Sequence, residues 1–118
     1  MEFLLTAPET KSLWQYFLEL SKIPRGSKNE AAAAQWVADQ GRALGCSVVR
    51  DAVGNVIIRK PATPGREGRP GVCLQAHVDM VCEKNEGTQH DFTKDPIQLR
   101  RVGDNLYATG TTLGADNG

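Results

Sequence analysis

The apolar residues near the start of the chain follow the spacing of an amphipathic helix. Within residues 9–22 they fall at positions i, i+3, i+4 and i+7, which lie on one face of a helix: Leu13, Tyr16, Phe17 and Leu20. Pro24 follows, and a residue that precedes a proline disfavours helical geometry. The pattern therefore predicts a first helix over residues 9–22, which ends before Pro24.

A second helix is predicted between residues 27 and 44. Ser27 and Glu30 have the spacing of a capping box, in which the serine caps the helix start and the glutamate reaches back. The apolar side of this helix is formed by Ala33, Trp36, Val37 and Leu44. Gly45 stands where a residue with positive φ commonly ends a helix.

Short extended segments replace the helical spacing after Gly45. Residues 46–50 and 55–60 predict two strands, and residues 51–54 between them, which end on a glycine, predict the turn of a hairpin. Residues 61–70 are rich in proline and glycine, so they predict a surface loop.

The second half of the chain is predicted to complete a sheet. Residues 71–78 (GVCLQAHV) are mostly apolar without polar alternation, which predicts a strand that is buried on both faces. Residues 97–101 and 106–109 flank the turn residues 103–105 and predict a second hairpin. Two helices followed by strands of this kind indicate an α/β fold, with the helices packed on a mixed sheet.

Composition and charge exclude several classes of partner. The chain has 118 residues, 40% of them hydrophobic and 24% charged, which is ordinary for a globular protein. Its 14 Lys and Arg balance its 14 Asp and Glu, and no basic block is present. Neither a nucleic acid nor an anionic membrane is therefore predicted as a partner. No apolar run approaches the length that crosses a bilayer.

The cysteines and the first residues favour a reducing compartment. Cys46, Cys73 and Cys82 are odd in number and form no CxxC pair, so neither a disulfide framework nor a thiolate zinc site is predicted. Residues 1–8 lack a basic region and carry Glu2, unlike a secretion signal. A cytoplasmic location is therefore predicted.

His77 and Asp79 are the first candidates for chemistry, because they form His-x-Asp at the end of the apolar run. In a strand, residues i and i+2 point to the same face. One imidazole nitrogen can then bind a metal while the carboxylate accepts the other N–H, which fixes the tautomer and raises the basicity of the ligand. The alternative is an unremarkable histidine beside a surface aspartate.

Asp116 is the third candidate. It lies between small residues in the sequence LGADNG, and small neighbours let the backbone and a metal approach closely. A carboxylate can bridge two cations through its two oxygens, as a two-metal site requires. The alternative is a simple β-turn, since Asp-Asn-Gly is also typical turn sequence.

The other metal-binding and aromatic side chains have simpler interpretations. Cys73 and Cys82 could be metal ligands near His77, but a buried, inert thiol is the commoner outcome. His90 is interpreted as a hydrogen-bonded loop residue. The tryptophans fall on the faces of the predicted helices and are assigned to the core: Trp14 and Trp36.

Four stretches of the chain occur together in an order that is similar to one enzyme family. They are residues 21–27 (SKIPRGS), 51–56 (DAVGNV), 74–81 (LQAHVDMV) and 110–118 (GTTLGADNG). The set closely resembles the aminoacylase/carboxypeptidase superfamily of dinuclear zinc peptidases, and within it the aminoacyl-histidine dipeptidases. Further stretches look specific to that subgroup, namely residues 82–85, 90–92 and 95–97. The resemblance covers essentially the whole chain.

The resemblance implies roles for three residues. His77 matches the histidine ligand of one metal, Asp79 matches the acidic residue that orients this histidine and is counted as catalytic, and Asp116 matches the carboxylate that bridges both metals. Two Zn²⁺ per complete site are implied, with Co²⁺ or Mn²⁺ as alternatives. The general base and the remaining ligands of the family match no position in this chain.

The resemblance also implies an architecture and an activity. Residues 1–118 would be the N-terminal portion of a zinc-peptidase catalytic domain, without its remainder and without the inserted lid or dimerisation domain. The implied reaction is hydrolysis of dipeptides of the Xaa-His type by a metal-activated water. The complete protein is expected to be a homodimer that acts on short peptides. The chain alone is expected to be inactive and to self-associate through open sheet edges and uncovered apolar faces.

Two alternatives are left open by the sequence. The chain could be a non-catalytic module that binds a partner or one weakly held metal. It could also belong to a related aminotripeptidase or amidohydrolase with the same metal site. Comparing Xaa-His dipeptides with tripeptides and N-acyl amino acids as substrates separates the enzymes from one another.

Overall fold

A computed structural model of the chain describes residues 8–115. In chain order, the elements of this part are α1 (Lys11–Leu20), α2 (Ala31–Ala43), β1 (Ser47–Arg50), β2 (Val56–Arg59), β3 (Leu99–Val102) and β4 (Asn105–Ala108). The strands form two antiparallel pairs, β1 with β2 and β3 with β4. Both predicted helices and both predicted hairpins are confirmed. The bounds of the helices and of the first hairpin are slightly narrower than predicted, and the strands of the second hairpin extend one residue further towards the turn and end short of the predicted outer bounds.

Helix α2 packs on the first hairpin through small residues. Its buried positions are Ala33, Ala34, Ala38 and Gly41. A β-carbon at Gly41 would lie 2.9 Å from Ile58 Cδ1 and 3.0 Å from Val48 Cγ2. The helix therefore approaches the two strands so closely that only a glycine fits at this contact without displacing a neighbour.

The predicted capping box at the start of α2 is not formed. Glu30 is the N-cap residue, and no side chain caps the helix. The Ser27 hydroxyl instead donates to Asp79 Oδ2 at 2.5 Å, and Glu30 Oε1 accepts from the main-chain N–H of Lys28 at 2.5 Å. The prediction was wrong because a carboxylate far away in the sequence engages the hydroxyl. The other end is as predicted: the helix ends at Leu44 and Gly45 has φ +74°.

Local hydrogen bonds close the turn between β1 and β2. The strands are antiparallel, and Arg50 faces Val56 at the end of the ladder nearest the turn. Asp51 Oδ1 accepts from the main-chain N–H groups of Val53 at 3.0 Å and Asn55 at 2.9 Å, while the Asn55 side chain donates to Asp51 Oδ2 at 2.7 Å. An aspartate that bonds to the residues after it stabilises such turns, so this hairpin contains its own closure.

The second hairpin has a tighter turn. Val102 faces Asn105, and the two residues between them include Gly103 with φ +59°. Glycine adopts this left-handed conformation without a steric penalty. On the strands, Arg100 lies over the ring of Tyr107 with its Cζ 4.9 Å from the ring centroid, a cation–π contact across the ladder.

The predicted buried strand over residues 71–78 is absent. These residues form no strand, and the apolar side chains of residues 71–77 are exposed, with Val72 at 87% and Leu74 at 91%. Val78 is half-buried. Parallel pairing in residues 8–115 is confined to one isolated bridge between Gly26 and Met80. The α/β class is confirmed, but its strands pair as antiparallel hairpins. The strand prediction was wrong because a two-sided burial needs a covering layer, which residues 8–115 do not provide here.

The two tryptophans are half-buried, and each has an aromatic neighbour. Trp14 meets Phe17 edge-on with ring centroids 6.0 Å apart, and Trp36 meets Tyr16 at 6.1 Å. The second pair links α1 to α2, whereas the first pair lies within α1. The assignment of both tryptophans to the core was wrong in degree, because neither of them is fully buried. Neither helix of the described residues has the length and apolar character required to traverse a bilayer.

Candidate functional site

His77 and Asp79 are in contact, as the sequence predicts. His77 Nδ1 lies 2.9 Å from Asp79 Oδ1, and the second carboxylate oxygen accepts the hydrogen bond from Ser27. The contact forms without a regular strand, because Val78 and Asp79 are held by hydrogen bonds from Arg25 and Ser27. Both neighbours favour the ionised carboxylate, so the Ser27 hydroxyl first and the His77 imidazole second hold the pKa of Asp79 below its ordinary value.

This arrangement gives the two imidazole nitrogens of His77 different roles. A carboxylate beside Nδ1 favours the tautomer in which Nδ1 carries the proton and donates it to Asp79. Nε2 then carries the lone pair and is the nitrogen that can bind a metal. The His77 side chain is 56% exposed, so a ligand can reach that nitrogen.

Arg25 holds the same segment through its main chain. Its Nη1 donates to the carbonyl of Val78 at 2.9 Å, and its own carbonyl accepts from the N–H of Met80 at 2.9 Å. The side chain is buried, with 2% of its surface exposed. The residues on either side of Asp79 are therefore both fixed by Arg25.

The same guanidinium reaches a second segment. Arg25 Nη2 donates to the carbonyl of Gly114 at 2.6 Å. Gly114 has φ +64°, and a β-carbon there would lie 2.9 Å from both Arg25 Nη2 and Met80 Sδ. Glycine is required at this position both for its backbone conformation and for the close approach of the arginine.

The chain before Asp116 runs beside the chain after Asp79. An antiparallel bridge joins Lys84 to Thr111. The N–H of Thr112 donates to the carbonyl of Glu83 at 2.9 Å, and its hydroxyl donates to the carbonyl of Val81 at 2.6 Å. Asp116 itself lies outside the described residues, so its predicted bridging role is not tested. The structure describes the chain up to the residue before it.

The remaining candidate ligands take no part in this arrangement. Among residues 8–115, no three side chains of His, Cys, Asp or Glu gather as metal ligands would. Cys73 is exposed, and Cys82 is half-buried with its thiol pKa raised by that burial. The His90 ring packs against Phe92 with centroids 4.4 Å apart, and its buried Nε2 has no hydrogen-bond partner in the described part. The interpretation of His90 as a hydrogen-bonded loop residue is confirmed at its carbonyl, which accepts from Lys84 Nζ at 2.7 Å, although Nε2 takes no part in it.

Ser27 and Arg25 are the functional candidates that the sequence patterns missed. Both lie in the connector between α1 and α2, defined here as residues 21–30, and their contacts with residues 77–80 are far apart in sequence. No periodicity can show such contacts. The available signal was the stretch SKIPRGS, which belongs to the family resemblance but carried no assigned role.

Comparison with known proteins finds dipeptidases. Over 106 residues the chain is 52% identical to the cytosol non-specific dipeptidase of Escherichia coli (strain K12), a match that covers 90% of this chain and 22% of that protein. The fold of the present chain matches the crystal structure of aminoacylhistidine dipeptidase from Vibrio alginolyticus, with a TM-score of 0.88 and 51% identity. This match covers 98% of the present chain and 24% of the other. No protein-family model matches. The chain thus spans less than a quarter of the length of these relatives, and its resemblance to them is confirmed.

Proposed function

We propose that this chain, which matches the aminoacyl-histidine dipeptidases in sequence and fold, is the N-terminal portion of a metal-dependent dipeptidase domain. The observation that carries the proposal is the hydrogen-bonded series Ser27–Asp79–His77. A carboxylate that orients an imidazole is the usual support for a metal-binding histidine. The series therefore gives the family likeness a chemical basis in this chain.

The residues present fit part of a two-metal zinc site. His77 would hold one metal through Nε2, and Asp116 would bridge both metals with its carboxylate. Imidazole and carboxylate donors suit Zn²⁺, and they also suit Co²⁺ or Mn²⁺. A bound ion of this kind supplies Lewis acidity and makes water a better nucleophile at neutral pH. The other ligands and the general base would come from the remainder of the domain.

The proposed role of Asp79 and Ser27 is to fix the tautomer and the ring orientation of His77. Asp79 keeps a proton on Nδ1 of His77, so Nε2 retains its lone pair and the ring stays in one orientation. Ser27 occupies the second oxygen of Asp79 and prevents the carboxylate from rotating. Asp79 thereby acts through the imidazole as a positioning residue, which is the orienting role that the family resemblance implies for it.

The proposed substrates are short peptides, above all dipeptides of the Xaa-His type. This follows the names of the two relatives, one a non-specific dipeptidase and the other an aminoacylhistidine dipeptidase. The complete protein is proposed to be a cytoplasmic homodimer. Comparing Xaa-His dipeptides with tripeptides and N-acyl amino acids tests the substrate class, and preferential hydrolysis of tripeptides or acyl amino acids would contradict it.

Substitution of the two proposed ligands in the complete protein tests the function. His77→Ala and Asp116→Ala should each lower zinc-dependent dipeptide hydrolysis by at least about 100-fold, because a lost ligand affects the metal more than a lost supporting group does. The bound zinc, measured by atomic emission, should fall in parallel. Asp104→Ala is the matched control, since this carboxylate lies in the exposed turn between β3 and β4 and pairs only with Arg101 among the described residues. Undiminished hydrolysis by either ligand variant would falsify its role.

The chain alone gives a second test. A catalytic zinc typically has three protein ligands, whereas His77 and Asp116 are the only two metal donors proposed here. Purified residues 1–118 should therefore show no metal-dependent turnover of dipeptides. Turnover by this chain would contradict the assignment of the remaining ligands to another part of the domain.

A further inference from the structure

We infer that Arg25 is a positioning residue that sets the distance between the two halves of the proposed metal site. Its guanidinium holds the carbonyl of Val78, between His77 and Asp79, and the carbonyl of Gly114, two residues before Asp116. The inference rests on the proposed function. It adds a residue for which neither the sequence patterns nor the family resemblance provided a role.

The first step of the argument is the geometry of the fork. The two terminal nitrogens of Arg25 donate to two carbonyls, at 2.9 Å to Val78 and 2.6 Å to Gly114. A guanidinium is planar and rigid, so two acceptors bound to its two terminal nitrogens are held at a fixed separation. Arg25 thus acts as a spacer of defined length between two segments of main chain.

The second step is that Arg25 is itself firmly fixed. Its main-chain carbonyl accepts from the N–H of Met80, and the neighbouring Gly26 forms a parallel bridge with Met80. The side chain is buried, and its Nη2 and the thioether of Met80 both lie close to Gly114. The spacer is therefore attached to the His77–Met80 segment twice, once by its backbone and once by its side chain.

The third step concerns the alternatives at this position. A lysine would keep the positive charge but would provide one point donor, which cannot bind both carbonyls in a fixed arrangement. A methionine would fill much of the volume but would leave both carbonyls without their buried donor. Arg25→Lys therefore isolates the loss of the fork from the loss of charge, and Arg25→Met removes both.

The consequence for the site follows from where the carbonyls lie. A shift of Gly114 relative to Val78 moves the chain that leads to Asp116 relative to the imidazole of His77. Metal ions demand ligand distances within a few tenths of an ångström, so such a shift weakens binding. Supporting residues of this kind typically change metal affinity or activity by 10-fold to 100-fold, which is roughly the range expected for Arg25.

The experiment uses the complete protein with Arg25→Lys and Arg25→Met. We expect zinc affinity, measured by competition with a chelator, to fall roughly 10-fold to 100-fold. The visible absorption bands of the Co²⁺-loaded protein should shift, because the ligand geometry changes. The value of kcat should fall more than KM rises, since the substrate would still be bound by other parts of the protein.

Two controls separate positioning from stability. Ala38→Gly removes a methyl group from a fully buried position of α2 and should lower Tm without touching residues 77–80. Arg42→Lys changes an exposed arginine that pairs with Asp39. Both controls should leave zinc affinity, the Co²⁺ spectrum and kcat within about 2-fold, at temperatures well below Tm.

A second probe keeps the inference testable if an Arg25 variant does not fold. Gly114→Ala places a methyl group 2.9 Å from Arg25 Nη2 and leaves the arginine itself in the chain. It should weaken zinc binding and shift the Co²⁺ bands in the same direction as Arg25→Lys. A merely structural glycine would lower Tm and leave the spectrum of the folded protein unchanged, and that result would overturn the inference.

The outcomes distinguish this inference from the proposed function. If His77→Ala abolishes zinc binding while Arg25→Lys and Gly114→Ala leave affinity, spectrum and kcat unchanged, the spacer role is wrong and the function stands. If the unsubstituted complete protein neither binds zinc nor hydrolyses dipeptides, the proposed function fails and the positioning role fails with it. The inference is supported if zinc affinity and kcat fall in the variants that disturb the two hydrogen bonds of Arg25, and if these losses do not follow the change in Tm.

Discussion

Helix α2 and the run at residues 71–77 are both rich in apolar residues, yet α2 has a buried face and the run is exposed. In α2, Ala33 and Ala38 have no exposed surface, whereas Leu74 in the run is 91% exposed. The helix packs on strands that follow it directly in the chain. The run lacks a neighbouring strand or helix within residues 8–115. The predicted apolar side of α2 is itself only partly buried, since Ala33 is buried but Leu44 is 68% exposed. Apolar spacing thus predicts burial only at positions that a neighbouring part of the chain covers.

The residues directly after this run show the opposite case, in which another part of the chain does provide contacts. Residues 78–80 are held because the connector between α1 and α2 supplies Arg25 and Ser27, and Met80 is buried. His77, the proposed metal ligand, and Asp79, which orients it, lie where the exposed run meets these held residues. A histidine that a held carboxylate orients, and whose side chain is exposed, suits the proposed metal-binding role.

The largest effect in this comparison is expected at the contact between α2 and the hairpin. Gly41→Val should lower the free energy of unfolding of the complete protein by about 2 kcal/mol, because overpacking exceeds the few tenths gained in helix propensity. The added side chain would press on Val48 and Ile58. Urea denaturation measures the change. Gly68→Val is the control, since nothing lies within 4 Å of a β-carbon there. If both variants lose the same free energy of unfolding, the loss in Gly41→Val does not come from overpacking at the contact between α2 and the hairpin.

The fold was predictable where contacts are local. The hairpins were found from turn residues such as Asp51, and the end of α2 from Gly45, because these residues bond to main chain a few positions away. The capping box failed for the opposite reason: the Ser27 hydroxyl bonds to Asp79. A local pattern cannot show that a distant acceptor competes for the same donor.

The candidate site was predictable only in part. The contact between His77 and Asp79 follows from their spacing, and the structure has it at 2.9 Å. The metal-binding roles of His77 and Asp116 stay predictions. Arg25 was not recognisable from pattern, because its fork joins carbonyls that are separated from it by 53 and 89 residues. Only the folded chain brings these groups together.

The next largest effect is expected at Asp79, one of the residues that the connector between α1 and α2 holds in place. Ser27→Ala should lower dipeptide hydrolysis by the complete protein about 10-fold, or ~1.4 kcal/mol, because Asp79 loses a supporting hydrogen bond but keeps His77. Steady-state kinetics with an Xaa-His dipeptide measures it. Ser27→Thr retains the hydroxyl and should recover most of the activity, and Ser47→Ala is a control at an exposed serine of β1. Equal activity of the alanine and threonine variants would contradict this role.

A smaller effect is expected in the exposed run at residues 71–77. In residues 1–118, Leu74→Ser should change the free energy of unfolding by less than about 0.5 kcal/mol, because the side chain is already in contact with water. Urea denaturation of the chain tests this. A loss above about 1 kcal/mol would mean that Leu74 is covered in solution, as the predicted self-association would produce. Sedimentation equilibrium at several concentrations then shows whether a second copy provides that cover.

The smallest effect is expected in the turn at residues 91–95. As in the turn of the first hairpin, an aspartate here accepts hydrogen bonds from residues that follow it directly in the chain. Asp91 Oδ1 accepts from the Thr93 hydroxyl at 2.6 Å and from its main-chain N–H at 2.9 Å. The hydroxyl first, the N–H second and Lys94 to a lesser degree lower the pKa of Asp91 from 3.8 to about 2. Thr93→Ala should raise this pKa part of the way back, because only the hydroxyl is lost.

The sign of the pH dependence follows from the lowered pKa of Asp91. Its ionised form favours the folded turn above pH 4 or so, and this contribution is lost as the pH falls through the folded pKa of about 2. With Thr93→Ala the contribution is smaller, and it is lost at a higher pH, closer to 3.8. Carboxyl carbon shifts in an NMR titration measure both forms. Asp51 is the internal control, because Asn55 lowers its pKa in a separate turn. An unchanged midpoint for Asp91 would mean that the main-chain bond alone determines its pKa, and that the turn relies on backbone closure more than the first hairpin does.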